Sequence, residues 1–556
     1  MIRLLLGVFG GFIAHIGFFI RNEWHMSGAK IIVAHLALCS TLAYVLIHME
    51  DSAGAVYRSL ATLTTWYLLS LFSSILIYRV FFHATRSFPG PKLAAVTKLW
   101  HVFHVRDSRN FLFMEKLHKK YGNFVRTGTN LPLNAVIRIL MLKFAGPNEI
   151  SIFHPAAIQL LDGQNNETTK DGWYDLMHPR SSVIFSRDPN EHKERRMVWS
   201  QSLSTKAMDI LRPRVAAQAL SLSQCIAKYE GGPVDVNEIM SWFSFDVMAE
   251  AVFGKDFGLM SSQAMLPAIG HRDRALALVG PLNDAIWIAL LGFSLIPFYG
   301  RVQDWFRMVA FCDEHVQERL KRGEDGEKTD MMAWFLDEYE SLKGTKDVQA
   351  RRNLLSGSVV TAVVAGSDTV RASLIAIWWY LSKYPEHAKK IRLEIQNISF
   401  DDANALSLLP HLNGVINEVL RLIPPAMTGN NRMTGPNGLL IDGVFIPPFT
   451  KVAAPKYVIQ RMESAFKYPD QFIPERWYSR PELIRDKQAF APFSVGNRQC
   501  VGKALAYTEV RLSTAILLQR YDVSFTPGYD PETMWRDMKD RVTAQPGQVL
   551  CVFKSM

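Results

Sequence analysis

The stretch FSVGNRQCVG, residues 493–502, places a single cysteine among glycines and an arginine. The chain has five cysteines, all far apart, at Cys39, Cys225, Cys312, Cys500 and Cys551. An odd number of separated cysteines argues against a disulfide framework and indicates a reducing compartment around the main body of the protein. Because no other ligand lies close to Cys500 in the sequence, a zinc site does not explain this thiol either.

The glycines on either side of the cysteine suggest a different role. We expect Gly496 and Gly502 to permit positive φ angles and a close backbone approach, so that backbone N–H groups can point at the sulfur. A thiolate buried under such donors can be the single protein ligand of a haem iron. For the thiol taken alone, a buried structural cysteine is the alternative.

The residues around the cysteine also form a pattern. Phe493, Gly496, Arg498, Cys500 and Gly502 match F-x-x-G-x-R-x-C-x-G. In this pattern the chain resembles the cytochrome P450 superfamily, and the resemblance extends from about residue 88 to the C-terminus. It implies haem b (iron protoporphyrin IX) as the cofactor and Cys500 as the axial ligand of the iron. It also implies that Arg498 pairs with a haem propionate and that Phe493 packs near the sulfur.

The periodicity of the chain agrees with a mainly helical fold. Helical patterns dominate after residue 99, whereas strand-like segments are short and cluster late, as in residues 438–455. We therefore predict a mainly α fold with small β-sheets, the cytochrome P450 fold, preceded by transmembrane helices.

A second motif lies in a long apolar helical run. AGSDT, residues 365–369, matches the pattern A-G-x-D/E-T of the family's central helix. The resemblance implies that Asp368 and Thr369 guide protons and that Gly366 leaves room for O2. Without that resemblance, an Asp and a Thr in a helix often only form local hydrogen bonds.

Further matches imply structural and haem-holding roles. Glu418 and Arg421 have E-x-x-R spacing and, with Arg476 of PERW, would form a buried structural group. By the same resemblance, haem propionates would contact His192 and Arg196, which have H-x-x-x-R spacing, and also Arg432. One departure is Gln460, where the family often has His, so no propionate contact is assigned to it.

The N-terminus carries three apolar runs, at residues 4–20, 31–47 and 59–78, without any Asp, Glu, Lys or Arg. Each is long enough to span a bilayer as a helix. A cleavable signal peptide is the alternative for the first run, but no small-residue cleavage site follows it. Basic residues exceed acidic ones after the first and third runs, whereas Glu50 and Asp51 lie between the second and third. The positive-inside rule then favours a lumenal N-terminus and a cytoplasmic body.

These features divide the chain into three parts. Residues 1–85 form a membrane anchor with about three transmembrane helices, residues 86–98 a proline-rich hinge, and residues 99–556 a haem-thiolate catalytic domain. The hinge contains FPGPKLAA, whose two prolines around a glycine cannot continue a helix. We expect it to set the angle at which the catalytic domain leaves the membrane.

The charge of the chain and the absence of certain motifs indicate which kinds of partner to expect. The net charge is +10, but the basic residues are scattered and do not alternate with aromatic residues, so a nucleic-acid partner is not expected. A basic face suits an acidic protein or an anionic membrane lipid. No flavin- or nicotinamide-binding motif is present, so electrons must come from outside, and the resemblance implies an NADPH–haemoprotein reductase.

The combined interpretation is a monooxygenase of the endoplasmic reticulum membrane. It would insert one oxygen atom of O2 into a hydrophobic small molecule, and FPGPKLAA, GPNEISIF and the three-span anchor resemble fungal secondary-metabolism members. We expect residues 168–185, 259–298, 362–369 and 425–429 to determine specificity. Two alternatives remain: a haem-thiolate enzyme that rearranges or dehydrates its substrate without net monooxygenation, and a non-catalytic haem-binding membrane protein.

One segment departs from the family phrase YG-x-FVRTGPNEISIF. Residues 129–145, TNLPLNAVIRILMLKFA, stand inside it, and removal of 18 residues, 128–145 or 129–146, restores the phrase. A real loop or an added membrane-touching helix is one interpretation. Because so long an apolar insertion in a strand pair would expose hydrophobic surface or break the ladder, we favour the hypothesis of a retained intron in the gene model.

Overall fold

The structure is a computed structural model that describes residues 1–20, 23–91, 98–127, 149–164, 166–322, 329–429 and 431–556. Most of the hinge residues after position 91 are outside these ranges. The anomalous insertion, residues 129–145, also lies outside the described residues, so the hypothesis about its origin stays a prediction.

The N-terminal segment forms three apolar helices: α1 (Ile2–Ile13), α2 (Gly28–Met49) and α3 (Ala53–Ile77). With the short turns that extend them, the segments Ile2–Phe19, His25–Met49 and Ala53–Phe82 are long and apolar enough to cross a membrane. These segments are longer than the predicted runs, because the helices continue into less apolar flanks. Two later segments, Pro267–Leu295 and Val348–Lys383, are also long and apolar enough. In their apolar 18-residue windows, however, 50% and 78% of the residues are buried, which places both segments in the body of the protein.

The hinge begins with a tight backbone contact. The carbonyl oxygen of Pro89 accepts a 2.8 Å hydrogen bond from the N–H of Arg126. A Cβ on Gly90 would lie only 2.5 Å from the carbonyl oxygen of Arg126, so only glycine allows this approach. The first hinge residues therefore lie against a strand of the body.

Eighteen further helices are described in the body. The first nine are α4 (Leu99–His104), α5 (Asn110–Tyr121), α6 (Ala157–Asp162), α7 (Pro189–Ser202), α8 (Thr205–Ala227), α9 (Val236–Phe253), α10 (Leu259–Ser262), α11 (Pro267–Val279) and α12 (Trp287–Leu295). The others are α13 (Gly300–Arg322), α14 (Met331–Ser341), α15 (Val348–Lys383), α16 (Pro385–Ile395), α17 (Ala403–Leu408), α18 (Pro410–Leu422), α19 (Lys456–Ile459), α20 (Lys503–Arg520) and α21 (Thr533–Arg536).

The strands are short and form four small sheets. They are β1 (Phe124–Arg126), β2 (Glu149–Ile152), β3 (Thr169–Lys170), β4 (Pro233–Asp235), β5 (Arg432–Met433), β6 (Leu439–Ile441), β7 (Val444–Ile446), β8 (Lys451–Ala453), β9 (Tyr521–Phe525), β10 (Lys539–Arg541), β11 (Thr543–Gln545) and β12 (Leu550–Ser555). The sheet orders are β1-β2-β8-β5-β3, β4-β12-β9, β6-β7 and β10-β11. The predicted mainly α fold with small sheets is confirmed.

Strands β1 and β2 flank the segment that contains the insertion. They pair antiparallel, with Val125 opposite Ser151 and Arg126 opposite Ile150. Beyond the pair, the N–H of Thr127 donates to the carbonyl oxygen of Glu149 over 3.2 Å. The two flanks of the insertion therefore close into one ladder.

The longest helix, α15, organises the core. Its N-terminus is capped by the side chain of Asp347, which accepts a hydrogen bond from the N–H of Ala350. Apolar residues surround most of the helix, and Trp378 is fully buried. Helices α9, α13, α14 and α18 pack against it. Because several helices pack against α15, it can form a rigid wall of a binding site.

Candidate functional site

The loop before α20 presents Cys500. The N–H of Cys500 donates a 2.8 Å hydrogen bond to the carbonyl oxygen of Phe493, which closes the loop. Gly496 has φ +66°, and a Cβ there would collide with the carbonyl oxygen of Asp162. The expected positive φ at Gly496 is therefore present. For Gly502 the expectation was wrong: its φ is −82°, because this residue is the N-cap of α20 and makes an ordinary turn into the helix.

The sulfur of Cys500 lies in a cationic, largely desolvated environment. Burial raises the pKa of the thiol, while the N–H of Gly502 and the charges of Lys456, Arg196 and Lys503 act in the opposite direction. The residue has accessible surface because it lines a cavity. Burial has the larger effect, so the pKa of the free thiol lies above its ordinary value, and the nearby cations are the groups that would stabilise a thiolate bound to a metal.

The cavity measures about 350 Å³ and separates the cysteine loop from α15. Cys500 lines this cavity, and so do Gly366 and Thr369 of α15. Much of the remaining lining is aliphatic or aromatic, including Val183, Ile184, Trp199, Met248, Ala362, Val370, Ile377, Val419 and Leu505. The two sequence motifs thus meet across one apolar space.

Three of the four segments expected to determine specificity line this cavity. Residues 168–185, 362–369 and 425–429 all contribute to it. Residues 259–298, all of which the structure describes, do not line it. This expectation was wrong because α11 and α12 pack away from the cavity, and α12 borders a different one of about 300 Å³.

Within the central helix, Gly366 and Thr369 have distinct surroundings. A Cβ on Gly366 would collide with the side chain of Met248, so glycine is what allows Met248 to pack this closely against the helix. The hydroxyl of Thr369 donates to the carbonyl oxygen of Ala365 over 2.8 Å. This hydroxyl faces the cavity from a helix whose backbone it also bonds.

Asp368 does not line the cavity. Its carboxylate accepts hydrogen bonds from Arg371 Nη2 (2.6 Å), from Gln545 Nε2 (3.0 and 3.1 Å) and from the Thr543 hydroxyl. Arg272 Nη2 lies 3.6 Å away. The structure therefore separates the two predicted proton-handling residues: Thr369 faces the cavity and Asp368 anchors a buried polar network behind it.

Cations gather along one edge of the cavity. Of the predicted propionate contacts, His192, Arg196, Arg432 and Arg498 all line it, and Lys170 and Lys456 join them. Burial, followed by the charges of Lys170, Arg498, Arg196 and Arg432, lowers the pKa of His192 to about 3. Burial likewise lowers the pKa of Lys456 to about 8. The lowered pKa values show that burial disfavours the charged forms of His192 and Lys456, and that neighbouring cations add to this effect at His192.

Four of these cations already have protein partners. Lys170 donates to the carbonyl oxygens of Val183 and Ile184, and Lys456 donates to that of Pro492. Arg432 pairs with Asp162, with Nε and Oδ1 2.7 Å apart, and donates to the Tyr174 hydroxyl over 2.8 Å. Arg196 donates to the carbonyl oxygen of Gln499, next to the cysteine. Arg498 is different, because its buried Nη1 has no hydrogen-bond partner among the described residues.

The donor set fits a haem. A single sulfur faces the cavity, the lining is mostly apolar, and the cationic edge with the unpaired Nη1 of Arg498 would suit two carboxylates. Cys500 would hold the iron, and Arg498, His192, Arg196 and Arg432 would face the propionates, with Lys170 and Lys456 beside them.

The predicted structural group is formed and fully buried. Arg421 donates from Nε and Nη2 to the two oxygens of Glu418, each over 2.9 Å, and Arg476 Nε donates to Glu418 Oε1 over 2.9 Å. Gln460 supports this group and not the cation edge: its Nε2 donates to the carbonyl oxygens of Leu420 and Arg421. It therefore makes no contact of the kind the family's histidine would make.

Sequence reasoning missed Lys170, Lys456 and Tyr174. Each is a lone polar residue in a segment without a motif, so no spacing singled it out. The one available signal was that Lys170 and Lys456 each stand next to apolar or aromatic residues in the sequence, whereas lysines are usually found on the surface.

Comparison with known proteins agrees with this geometry. The family model for cytochrome P450 matches residues 89–552. The cytochrome P450 monooxygenase phqL of Penicillium fellutanum is 31% identical over 545 residues, covering 97% of this chain and 92% of the relative. The tryprostatin B 6-hydroxylase of Aspergillus fumigatus is 30% identical over 543 residues, covering 95% of this chain and 92% of the relative. A crystal structure of the cytochrome P450DA heme domain superposes with a TM-score of 0.67 at 17% identity, covering 84% of this chain and 98% of that one.

Proposed function

The chain belongs to the cytochrome P450 family, and on that premise we propose that it oxygenates an apolar secondary metabolite in the cavity between Cys500 and α15. The enzyme is a haem-thiolate monooxygenase, and its relatives include named fungal monooxygenases. The single observation that carries the residue assignment is that Cys500, Gly366 and Thr369 line the same cavity.

When bound, haem supplies an iron centre at which O2 is activated with electrons from outside. In our assignment the Cys500 thiolate would ligate the iron, and Phe493 would pack near the sulfur. The Phe493 ring also packs against the Tyr507 ring, with centroids 5.1 Å apart and planes tilted by 41°. Gly496 allows the tight turn, and Gly502 starts α20 directly behind the sulfur.

Arg498, His192, Arg196 and Arg432 would hold the haem carboxylates in this proposal. Support comes from their common position in the cavity lining and from the burial and the neighbouring cations that together lower the pKa of His192. Two carboxylates there would offset the repulsion between these cations. Lys170 and Lys456 would add to the same effect.

Gly366 and Thr369 would act on the side that faces the substrate. Gly366 lets Met248 pack against the backbone of α15, and the Thr369 hydroxyl could exchange its hydrogen bond to Ala365 for one to a water. Asp368 would supply protons from the network behind the helix.

The substrate is proposed to be a largely apolar small molecule. This follows from the aliphatic and aromatic lining of the cavity and from the relatives, one of which is named for 6-hydroxylation of tryprostatin B. Residues 168–185, 362–369 and 425–429 are the segments through which specificity would act.

The partner and the location are also proposals. We expect an NADPH–haemoprotein reductase to supply electrons at a basic face, in line with the net charge of +10. We also propose that the membrane is that of the endoplasmic reticulum, with the body in the cytoplasm. Two contacts at opposite ends of the anchor support the orientation, because one of them places the loop between α1 and α2 beside the body. Arg3 pairs with Glu50 at one end, and His25 contacts Asp175 of the body at the other. This arrangement suits three crossings of a lipid bilayer.

The division into an anchor of residues 1–85, a hinge of residues 86–98 and a catalytic domain of residues 99–556 is part of the same proposal. It is supported by the apolar helices α1 to α3 and by the contact of Pro89 and Gly90 with Arg126.

Two alternatives are kept for the test. The enzyme could rearrange or dehydrate its substrate, or the protein could bind haem without catalysis. The test is expression in microsomes with an NADPH–haemoprotein reductase, with a carbon monoxide difference spectrum and profiling of products from candidate metabolites. The expected result is a thiolate-type spectrum and a product that carries one oxygen atom from labelled O2.

A product without labelled oxygen would favour rearrangement or dehydration, and a thiolate-type spectrum without product on any candidate would favour the non-catalytic protein. The variant Cys500→Ser should lose the spectrum and all turnover, because a hydroxyl is a much poorer ligand than a thiolate. Retained turnover would contradict the assignment of Cys500. Cys551→Ser, a buried cysteine in β12, is the matched control.

A further inference from the structure

The loop between α1 and α2 reaches the body of the protein. His25 Nε2 lies 2.7 Å from Asp175 Oδ2. Arg187 Nη1 lies 2.7 Å from Glu23 Oε2 and 2.6 Å from Asp175 Oδ2. Two residues of the loop and two of the body thus form one charged cluster. We call residues 23–29 the anchor loop and residues 170–187 the wall segment.

The fit between these two parts is also steric. Gly172 is the first residue of a short 3-10 turn in the wall segment. A Cβ at this position would lie 2.6 Å from Cε1 and 2.9 Å from Nδ1 of His25. The imidazole ring therefore rests directly on the backbone of the wall segment, which only glycine allows.

A second cavity, of about 300 Å³, lies beneath the anchor loop. Met26, Gly28 and Ala29 line it from the anchor, and Leu176 and Met177 line it from the wall segment. Residues of α12 and α13, among them Phe293 and Trp305, complete it. The anchor loop thus covers an apolar space next to its polar contacts.

The wall segment also lines the 350 Å³ cavity that contains Cys500, which we call the haem cavity. Tyr174, Val183 and Ile184 border that cavity, and so does Lys170, whose Nζ donates to the carbonyl oxygens of Val183 and Ile184. Arg187, which binds the anchor loop, also donates from Nε to the carbonyl oxygen of Lys170 over 3.1 Å. One short segment therefore connects the anchor loop to the haem cavity.

We propose that the anchor loop is a docking element for the wall segment, and that its seating positions this side of the haem cavity. The membrane anchor then does more than hold the enzyme at the bilayer. Through Glu23 and His25 it sets the position of Tyr174, Val183 and Ile184, and with it the space available to a ligand. Glu23 and His25 are positioning residues, since neither lines the haem cavity.

The first test measures whether substitutions in the anchor loop and in the wall segment affect ligand binding independently of each other. Full-length protein in microsomes is compared as wild type, Gly172→Ala, His25→Ala and the double variant. The probes are imidazole and 1-phenylimidazole, whose binding to the haem iron shifts the Soret band. The larger probe reaches further into the cavity than the smaller one.

We expect Gly172→Ala to weaken 1-phenylimidazole binding about threefold or more, with imidazole binding much less affected. In the His25→Ala background the Cβ no longer meets a ring, so Gly172→Ala should have little further effect. Equal effects of Gly172→Ala in both backgrounds would overturn the proposal. If Gly172→Ala alone fails to give folded haem protein, recovery of the spectrum in the double variant supports the proposal, and no recovery overturns it.

The matched charge control uses the opposite end of the anchor. Glu23→Gln removes a partner of Arg187, whereas Glu50→Gln removes the partner of Arg3. Only Glu23→Gln should change the ratio of the two probe affinities. Equal changes in both variants would contradict the proposal, because they would indicate a general effect of the anchor.

A second measurement does not depend on haem. Met26→Cys with Phe293→Cys places two thiols on the same 300 Å³ cavity, and a short bismaleimide should join them. Met49→Cys with Phe293→Cys, at the opposite end of α2, is the control pair. Mass spectrometry of the joined peptides should show a linkage for the first pair that Gly172→Ala reduces. Equal linkage in both pairs, or no linkage in the first, would overturn the proposal.

Discussion

The carboxylate of Asp368 and the guanidinium of Arg371, one turn apart on α15, form a buried ion pair with Oδ1 and Nη2 2.6 Å apart. Arg371 also lies 3.0 Å from Asp273 Oδ2 on α11. Because Asp368 further binds Thr543 and Gln545 of β11, the acid of the central motif connects three separate elements of the fold. It therefore has a structural function that is distinct from any role in proton supply.

Replacement of Asp368 by Asn should destabilise the protein. The change leaves two buried arginines with one acidic partner fewer, and breaking a buried pair in this way costs about 3–5 kcal/mol. Urea unfolding followed by circular dichroism measures the loss. The control is Asp470→Asn, whose exposed carboxylate lies 3.5 Å from Arg461 and should change stability by no more than about 1 kcal/mol. Unchanged stability of Asp368→Asn would contradict this function.

Replacement of Thr369 by Ala should leave the stability of the protein unchanged but impair the reaction. Among the described residues, the hydroxyl bonds only the Ala365 carbonyl, so folding and haem binding should be retained. Proton guidance at the cavity would be impaired, and more of the NADPH consumed should end as hydrogen peroxide. The ratio of product to NADPH is the measurement, with Ser373→Ala, one turn further along α15 and also on the cavity, as the control. A wild-type ratio in Thr369→Ala would exclude this role.

Replacement of Glu418 by Gln should prevent stable assembly of the cysteine-bearing core. Glu418 accepts hydrogen bonds from Arg421, Arg476, the indole of Trp477 and the N–H of Ile473. With the charge removed, two buried guanidinium groups lose their counter-ion, at a cost of about 3–5 kcal/mol. Haem content per polypeptide should fall sharply. Glu482→Gln, an exposed acid 3.5 Å from Arg480, should keep normal haem content. Normal haem in Glu418→Gln would contradict the expectation.

The haem-free protein should lose stability in mild acid in part through His192. Its folded pKa is lowered to about 3, first by burial and then by Lys170 and other cations. Between the unfolded value near 6.5 and about 3, the unfolded chain takes up a proton that the folded protein does not. The free energy of unfolding therefore falls as pH falls through this window, by about 2 kcal/mol or less at pH 5.

This pH prediction is measured by urea unfolding at pH 7.5 and pH 5. His192→Gln should show a smaller loss of stability between the two values than the wild type. The exposed His104→Gln should behave like the wild type. An identical pH dependence in wild type and His192→Gln would show that His192 does not titrate as proposed.

The origin of residues 129–145 can be decided on the transcript. β1 and β2 pair on both sides of the segment, so the ladder does not require it. We therefore expect the abundant mature message to lack the codons for these residues. Sequencing of that message is the measurement, and the presence of the codons would refute a retained intron.

Local patterns were sufficient for much of this protein. The cysteine loop, the central helix motif and the pair of Glu418 and Arg421 each lie within one short segment, so spacing along the chain predicts their geometry. The apolar runs predicted three spans for a similar reason, because a helix in a bilayer needs only length and hydrophobicity. The positive φ of Gly496 followed from the same local reasoning, whereas that of Gly502 did not, because the start of α20 imposes another conformation.

By itself, the sequence determined the family, the haem cofactor and the mainly helical fold, since these depend on contiguous motifs and periodicity. Only the tertiary structure decided which residues share the cation edge, because Lys170 and Lys456 are 286 positions apart in the chain. It also decided that Asp368 turns away from the cavity towards Thr543 and Gln545, and that His25 of the anchor rests on Gly172. Such contacts depend on how distant segments pack, and no local pattern of residues encodes that packing.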